Sequence, residues 1–363
     1  MQTNSRRAPF YRAGFTLVEL MVGLAIGMLA TVVIIQVISV FEAQRRTTAG
    51  TADAQTNGGI ALYSIAREVQ LAGYPLVPVT DSPIECTALS INGAVDATVP
   101  NRLSPVVVAD DVVGAGVNAS PSDTLTLRYG TSAMGGVPTQ ISIMGTPTAN
   151  DATVGTNFGC QAGDITLIAN GATCAMSTVT GVAGTATLTL ANTTGAIGGG
   201  VANLSCMGTW NEITYAVNNG NLVRTVVNNF GAAATTPVVA GVVNLQVQYG
   251  VSAAANSNQV TQWVNASGAI WGAPTVANRN RIKGVRIAVV ARNAKTEPGV
   301  VTSACSSTTA AAPTGLCAWE GSAGSPAPAI DLSDGDPNWR SYRYRVFETI
   351  IPLRNMVWSK ETL

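Results

Sequence analysis

The sequence predicts an α+β protein, in which one long amino-terminal helix precedes a large, mainly antiparallel β domain with disulfides. Three observations support this fold class. An uncharged run near the start is long enough to cross a membrane, and helical spacing of apolar residues continues beyond it. The remainder of the chain holds short alternating segments separated by turn residues, and all six cysteines lie after the apolar run.

The first half of the helix is predicted to span the membrane over residues 15–41. From Leu20 to Phe41 there are 22 residues without a charge, which at about 1.5 Å per residue cross the hydrocarbon core. Residues 1–14, before the predicted span, carry three arginines and no acidic residue. The positive-inside rule therefore places the amino terminus in the cytoplasm and the later residues beyond the inner membrane, in the periplasm.

The second half of the helix is predicted to be amphipathic over residues 42–73. Apolar residues recur at spacings of three and four up to Gly73 and Pro75, which end the pattern; they are Leu62, Ile65, Val69 and Ala72. The run Asn57-Gly58-Gly59 has low helix propensity, so we expect a bend or a locally melted turn there.

Residues 74–363 are predicted to form the β domain, without a second long helix. Candidate strands cover residues 124–130, 164–169, 185–190, 244–250, 285–292 and 342–353. A hairpin joins residues 213–217 to 222–226 through Asn218-Asn219-Gly220-Asn221. Alternation places Val285, Ile287 and Val289 on one face of their strand, with Arg286 and Arg292 on the other.

Composition restricts the classes of function. Charged residues make up 11% of the chain, against roughly 25% in typical soluble proteins, and twenty basic residues balance twenty acidic ones. The chain contains no histidine, which excludes histidine-based catalytic triads and most zinc sites. Because no nucleophile has a recognisable base and no phosphate-binding loop is present, we expect that the protein is not an enzyme.

The cysteines predict three disulfides formed in an oxidising compartment. An even number without CxxC spacing, confined to the part beyond the apolar run, is typical of exported proteins. Sequence leaves the connectivity open. The nearest-neighbour hypothesis pairs Cys160 with Cys174 and Cys305 with Cys317, which leaves Cys86 for Cys206.

Two charged groups are candidate binding sites. Asp331, Asp334 and Asp336 share one short loop, for which calcium binding is the alternative to the favoured Asp-Gly turn. No other cofactor is expected. A face of the last strands carrying Arg286, Arg343 and Arg345 is a candidate for anions such as nucleic-acid phosphates or an acidic subunit. A solvated sheet face is the favoured alternative, since no aromatic residues are interleaved there for base stacking.

The stretch GFTLVEL, residues 14–20, stands between a short basic leader and the apolar helix. This arrangement resembles the processing site of type IV prepilins and of the related type II secretion pseudopilins. The resemblance implies that residues 1–14 are a leader peptide. A prepilin peptidase of the membrane would cleave after Gly14, and the new amino terminus, Phe15, would be N-methylated.

The resemblance also implies a role for Glu19, an acidic residue at the start of a membrane helix. The amine of Phe15 needs a partner in an apolar bundle, and the Glu19 carboxylate of the same or an adjacent subunit can supply one. The alternative is that Glu19 only reaches the lipid headgroups. Gly23 and Gly27 form a GxxxG spacing that allows close helix packing, although glycine is also common in membrane helices.

Further segments resemble the PilW family of minor pilins: residues 60–74, and Trp210 with the strands that follow it up to Asn355. The resemblance implies a minor pilin that initiates or caps a type IV pilus, moving from the inner membrane to the cell surface. Its partners would be other minor pilins, the major pilin, membrane lipid and a tip adhesin.

Residues 87–205 match no pattern recognised in this family and are predicted to be an insertion. The alternatives are a type II secretion pseudopilin and a signal-anchored ligand-binding protein.

Overall fold

The structure is a computed structural model, and it describes residues 14–76, 86–113, 121–144, 150–192 and 202–357. The chain divides into two compact units, residues 1–50 and residues 51–363. Residues 1–13 of the predicted leader lie outside the described residues. The fold class is confirmed, since one long apolar helix precedes a large, mainly antiparallel β domain with three disulfides.

Helix α1 runs from Leu17 to Val69 and begins as an uncovered apolar rod. In the first unit every large apolar side chain from Leu17 to Phe41 is at least 47% exposed. Within the described part of the chain, α1 is the one helix long and apolar enough to cross a membrane. A helix that is apolar on all sides and covered on none is suited to lipid or to other helices rather than to water.

The end of α1 belongs to the second unit and contributes to its core. Ala61, Ile65 and Val69 are fully buried at helical spacing. The expected bend at residues 57–59 is wrong, because α1 continues through them without a break. Gly58 serves close packing instead: a Cβ at this position would lie 2.1 Å from the Phe347 ring.

The β domain contains seventeen strands within the described residues. The first nine are β1 Ala88–Ile91, β2 Ala94–Val95, β3 Val106–Val113, β4 Pro121–Tyr129, β5 Thr139–Met144, β6 Asp151–Val154, β7 Ile165–Asn170, β8 Thr173–Ala183 and β9 Thr187–Leu190. The others are β10 Asn203–Gly208, β11 Asn211–Asn218, β12 Asn221–Asn228, β13 Ala233–Ala240, β14 Val242–Ser252, β15 Val260–Asn265, β16 Ile282–Thr296 and β17 Tyr342–Pro352. Three four-residue helices and one short 3₁₀ helix complete the list: α2 Gly268–Trp271, α3 Val276–Arg279, α4 Arg354–Val357 and the 3₁₀ helix Trp339–Ser341.

Two antiparallel sheets form the principal core together with α1. One has the strand order β13-β12-β11-β4-β3 and the other β15-β14-β16-β17. The predicted hairpin is β11–β12, in which Asn219 and Gly220 both have positive φ, as a type I′ turn requires. Val285, Ile287 and Val289 lie in the same buried cluster as Ile65, so this face of β16 points into the core as expected.

A buried carboxylate joins these two sheets. Asp123 on β4 accepts a hydrogen bond from the backbone N–H of Val247 on β14, at 2.6 Å. It accepts a second from the N–H of Asp111 in the β3 bulge, at 3.0 Å. Burial raises the pKa of Asp123 to about 7.

The third sheet closes on itself. Its order is β2-β1-β8-β7-β10-β5-β6-β9, and β8 also pairs with β9, so strands β5 to β10 form a ring. The ring has its own core, which includes Ile168 and Leu204, whereas Leu167 on the opposite face of β7 joins the principal core. Of the predicted insertion, residues 87–205, strands β3 and β4 belong to the sheet of β11, strands β5 to β9 and the start of β10 build the ring, and β1 and β2 extend its sheet beside β8.

The disulfides connect Cys86 to Cys174, Cys160 to Cys206 and Cys305 to Cys317. The nearest-neighbour hypothesis is therefore wrong for two of the three bonds. Strand β7 lies between the two sites, because Cys174 is opposite Ala169 on the β8 side, whereas Cys206, the partner of Cys160, is opposite Thr166 on the β10 side. Sheet pairing decides the partners, because β1 runs parallel to β8 beside Cys174, and Cys206 lies opposite the start of β7.

Candidate assembly site on the amino-terminal helix

The predicted cleavage junction lies at the exposed start of α1. Gly14 is exposed and Phe15 is 87% exposed, and helical structure begins two residues after Phe15. No atom lies within 4 Å of the position that a Cβ on Gly14 would take. The junction is therefore open to a protease among the residues that the structure describes.

Thr16 and Glu19 form a reciprocal capping box. The Thr16 N–H and hydroxyl both donate to Oε2 of Glu19, at 3.1 and 3.0 Å, and the Glu19 N–H donates to Oγ1 of Thr16 at 3.2 Å. The carboxylate thus satisfies donors of the first turn and complements the positive end of the helix. In the uncut chain the observed partner of Glu19 is Thr16, a residue that the sequence analysis did not identify. The T-x-x-E spacing could have revealed it.

Gly23 and Gly27 lie on the exposed part of α1, where an added Cβ would meet no atom within 4 Å. Because they are four residues apart, they lie on the same side of the helix. Together they leave a shallow groove against which another helix backbone can pack closely.

Three polar contacts hold the end of α1 to the β domain. Arg224 on β12 donates to Oε1 of Glu68 through Nη2 at 2.6 Å and through Nε at 3.0 Å. The Tyr215 hydroxyl donates to the Ser64 carbonyl at 3.2 Å, and burial raises the pKa of this phenol. Asn355, after β17, donates to the Ala72 carbonyl at 3.0 Å.

Comparison with known proteins agrees with this arrangement at both ends of the chain. The prokaryotic N-terminal methylation motif matches residues 10–35, and the family described as Type IV Pilus-assembly protein W matches residues 213–355. The chain therefore carries a prepilin-type methylation motif and, over residues 213–355, a PilW domain. The PilW match covers strands β11 to β17, whereas the ring of β5 to β10 lies outside both matched segments.

Two other comparisons add little to this assignment. A type IV-like pilin from Thermus thermophilus is similar to this chain with a TM-score of 0.37 and 13% identity, over 84% of this chain and 98% of that chain. No curated protein sequence matches the chain.

The PilW domain contains the predicted anion-binding residues, but they do not share an open face. Arg286 is only 6% exposed, with its guanidinium 4.2 Å from the centre of the Trp319 ring and 5.2 Å from that of Trp263. Burial lowers its pKa to about 10. Arg343 is exposed but is paired with Glu297, whose pKa its hydrogen bonds lower.

The loop between β16 and β17 accounts for the burial of Arg286. Its residues Leu316, Ala318 and Ile330 pack on Ala288 and Val290, the same face of β16 from which Arg286 projects. The expectation that alternation would place Arg286 in solvent is therefore wrong. Arg345 remains exposed on β17.

The aspartates of the 331–336 loop serve turns and an ion pair. Asp331 accepts hydrogen bonds from the N–H and hydroxyl of Ser333, which lower its pKa, and Asp336 lies 3.4 Å from Arg292. Asp334 is exposed. Among the described residues no group of three potential ligands is arranged to hold a metal ion. Asp331 and Asp336 thus have partners within the chain, and calcium binding by this loop stays a prediction.

Proposed function

We propose that this chain is a minor pilin that takes part in assembling a type IV pilus, in an initiation or tip complex with other minor pilins. The observation that carries the proposal is the uncovered apolar surface of α1 from Leu17 to Phe41, placed directly behind a methylation motif. Such a surface requires lipid before assembly and neighbouring helices after it. The protein acts as a structural subunit and is the substrate of the prepilin peptidase rather than an enzyme itself.

Glu19 can pair with an amine without breaking its capping box. Within the described residues only its Oε2 atom is engaged, so Oε1 can accept a further hydrogen bond. Cleavage after Gly14 would free the amine of Phe15, a separate methyl transfer would then modify it, and the amine of a neighbouring subunit would take this position. Because an unpaired charge in an apolar bundle is costly, the pair would fix the axial position of one subunit against the next.

The size of the second unit favours a position at the tip. Residues 51–363 form one compact unit of more than twice the common domain size of roughly 100 to 150 residues. A bulky domain would crowd its neighbours if repeated along a shaft, whereas a terminal position leaves one side open.

We place the amino terminus of the precursor in the cytoplasm and the β domain in the periplasm, as the arginines of the leader favour.

Mass spectrometry of sheared surface fibres and of membranes from the same cells tests the proposal. We expect a peptide that begins at methylated Phe15 in the fibres. Uncut chain restricted to the membranes would contradict the proposal and would support an anchored extracytoplasmic protein. Processed chain found with a secretion apparatus but not with fibres would support a pseudopilin.

Two variants separate processing from assembly. Gly14→Val should leave the chain uncut, because the side chain fills the open space at the junction. Glu19→Ala should still be cut and methylated but should be reduced at least tenfold in the fibres. Normal incorporation of the Glu19→Ala chain would contradict the pairing role.

A further inference from the structure

A small apolar pocket opens beside the ring, between the 131–139 loop and strand β10. Its volume is about 110 Å³. Exposed apolar side chains form its rim, and Leu204 and the Cys160–Cys206 disulfide lie deeper in its lining. Neither matched family segment includes the pocket.

The rim consists of three large apolar side chains that are left open to solvent. Phe158 is 74% exposed, Val137 is 67% exposed and Met134 is 43% exposed. Because all three line one pocket, they form a contiguous patch rather than scattered surface residues. Contiguous exposed apolar surface around a cavity is typical of an interaction site.

The polar atoms of the lining are already engaged within the protein. Oγ of Ser132 accepts from the Gly136 N–H at 3.1 Å, and Oγ1 of Thr139 accepts from the Thr156 N–H at 3.1 Å. Oγ1 of Thr156 in turn accepts from the Phe158 N–H at 3.2 Å. No ionisable side chain lines the pocket. The lining therefore favours an uncharged, apolar occupant over a polar one.

The pocket is held in shape by the surrounding structure. The Tyr74 hydroxyl donates to the Ser132 carbonyl at 2.7 Å, which fixes the 131–139 loop to the turn after α1. Gly159 has a positive φ of 85°, and a Cβ there would lie 2.4 Å from Cγ of Met134, so glycine allows Met134 to lie against the wall. A preformed site loses little conformational freedom on binding.

We propose that this pocket receives one aromatic or branched aliphatic side chain from an uncharged surface of a neighbouring pilus subunit. At about 110 Å³ the pocket is somewhat smaller than the apolar cavities of about 150 Å³ that take up benzene, so it holds one inserted side-chain group at most. A lipid acyl chain is larger than such a group and exceeds this volume. The assignment of a pilus subunit as the partner rests on the proposed function. The assignment of an apolar ligand rests on the lining of the pocket alone.

Val137→Glu tests the docking role with Val95→Glu as its matched control. Val137 is on the rim, whereas Val95 on β2 is 82% exposed and outside the pocket. A carboxylate in the rim would have to be buried on docking, so we expect at least a tenfold loss of the Val137→Glu chain from sheared fibres. The Val95→Glu chain should be incorporated as the wild type is. Both should keep wild-type membrane levels, Phe15 processing and protease resistance, which verifies that they fold.

A photoreactive benzoylphenylalanine in place of Phe158, in the full chain in cells, identifies the occupant. We expect a light-dependent adduct with another methylated pilin, and none when the same group replaces Val95. Adducts with lipid or with a second copy of this chain, or unimpaired assembly of Val137→Glu, would overturn the proposal. An equal loss of Val95→Glu from the fibres would do so too.

The Glu19→Ala chain distinguishes failure of this inference from failure of the proposed function. If Glu19→Ala is lost from fibres while Val137→Glu is retained, the pocket proposal alone is wrong. If the wild-type chain is absent from fibres, the proposed function is wrong. The assignment of a pilus subunit as the partner of the pocket is then wrong as well.

Discussion

The two halves of α1 both carry large apolar side chains, but these side chains lie in opposite surroundings. From Leu17 to Phe41 the large apolar side chains are exposed, whereas Ile65 and Val69 near the other end are fully buried in the β domain. The glycines show the same contrast: Gly23 and Gly27 face open space, and Gly58 lies against Phe347. One half of the helix therefore completes a fold, and the other half is left for an environment outside the chain.

The largest difference in stability is expected when one apolar side chain is shortened in each half of α1. Ile65→Ala should lower the free energy of unfolding of the β domain by about 2–5 kcal/mol, because it leaves a cavity in a closed core. Ile34→Ala, at a residue that is 55% exposed, should leave that free energy unchanged. Chemical denaturation in detergent, followed by tryptophan fluorescence, measures both. Equal effects would mean that the halves do not differ in their contribution to the fold.

The glycines sharpen the contrast with smaller substitutions. Gly58→Ala should destabilise the β domain by about 1–3 kcal/mol, because its Cβ would overlap the Phe347 ring. Gly59→Ala is the matched control in the same turn, where no atom lies within 4 Å of the added Cβ. There the higher helix propensity of alanine should stabilise the chain by up to about 1 kcal/mol. Thermal unfolding followed by circular dichroism would show whether the two variants shift in opposite directions.

The ion pair between the helix and the hairpin gives the smallest expected effect. Arg224→Ala should lower the free energy of unfolding by about 1–2 kcal/mol, since it leaves the Glu68 carboxylate, with a side chain only 14% exposed, without its partner. Arg343→Ala on β17 removes an ion pair with Glu297 in which the arginine side chain is 51% exposed, and it should cost less than about 0.5 kcal/mol. Urea denaturation of both variants would test this difference, and a larger loss for Arg343→Ala would contradict it.

The elements that follow from local chemistry could be predicted from the sequence. The uncharged run from Leu20 to Phe41 predicts a membrane-length helix, and Asn219-Gly220 predicts the turn between β11 and β12. The Gly14, Phe15 and Glu19 motif is local for the same reason, since seven consecutive residues define it. Thr16 could also have been found, because a capping box involves residues three positions apart.

The features that depend on distant segments could not be predicted. Gly58 has the sequence character of a helix breaker, but its role depends on Phe347 from the last strand. Arg286 alternates with core residues as an outward-facing side chain would, yet a loop that follows its own strand covers it. The partners of Cys86 and Cys160 were fixed by strand pairings that no local pattern reveals.

The closed ring of strands β5 to β10 has a consequence for how this protein avoids misassembly. Each of the six strands pairs with a neighbour on both sides, so none of them is left as a free edge strand along its full length. Of the open edges elsewhere, β13 is uncharged and exposed, but Pro237 within it lacks the N–H that an added strand would require. These features would direct contacts between folded chains toward side-chain surfaces and away from strand exchange and aggregation.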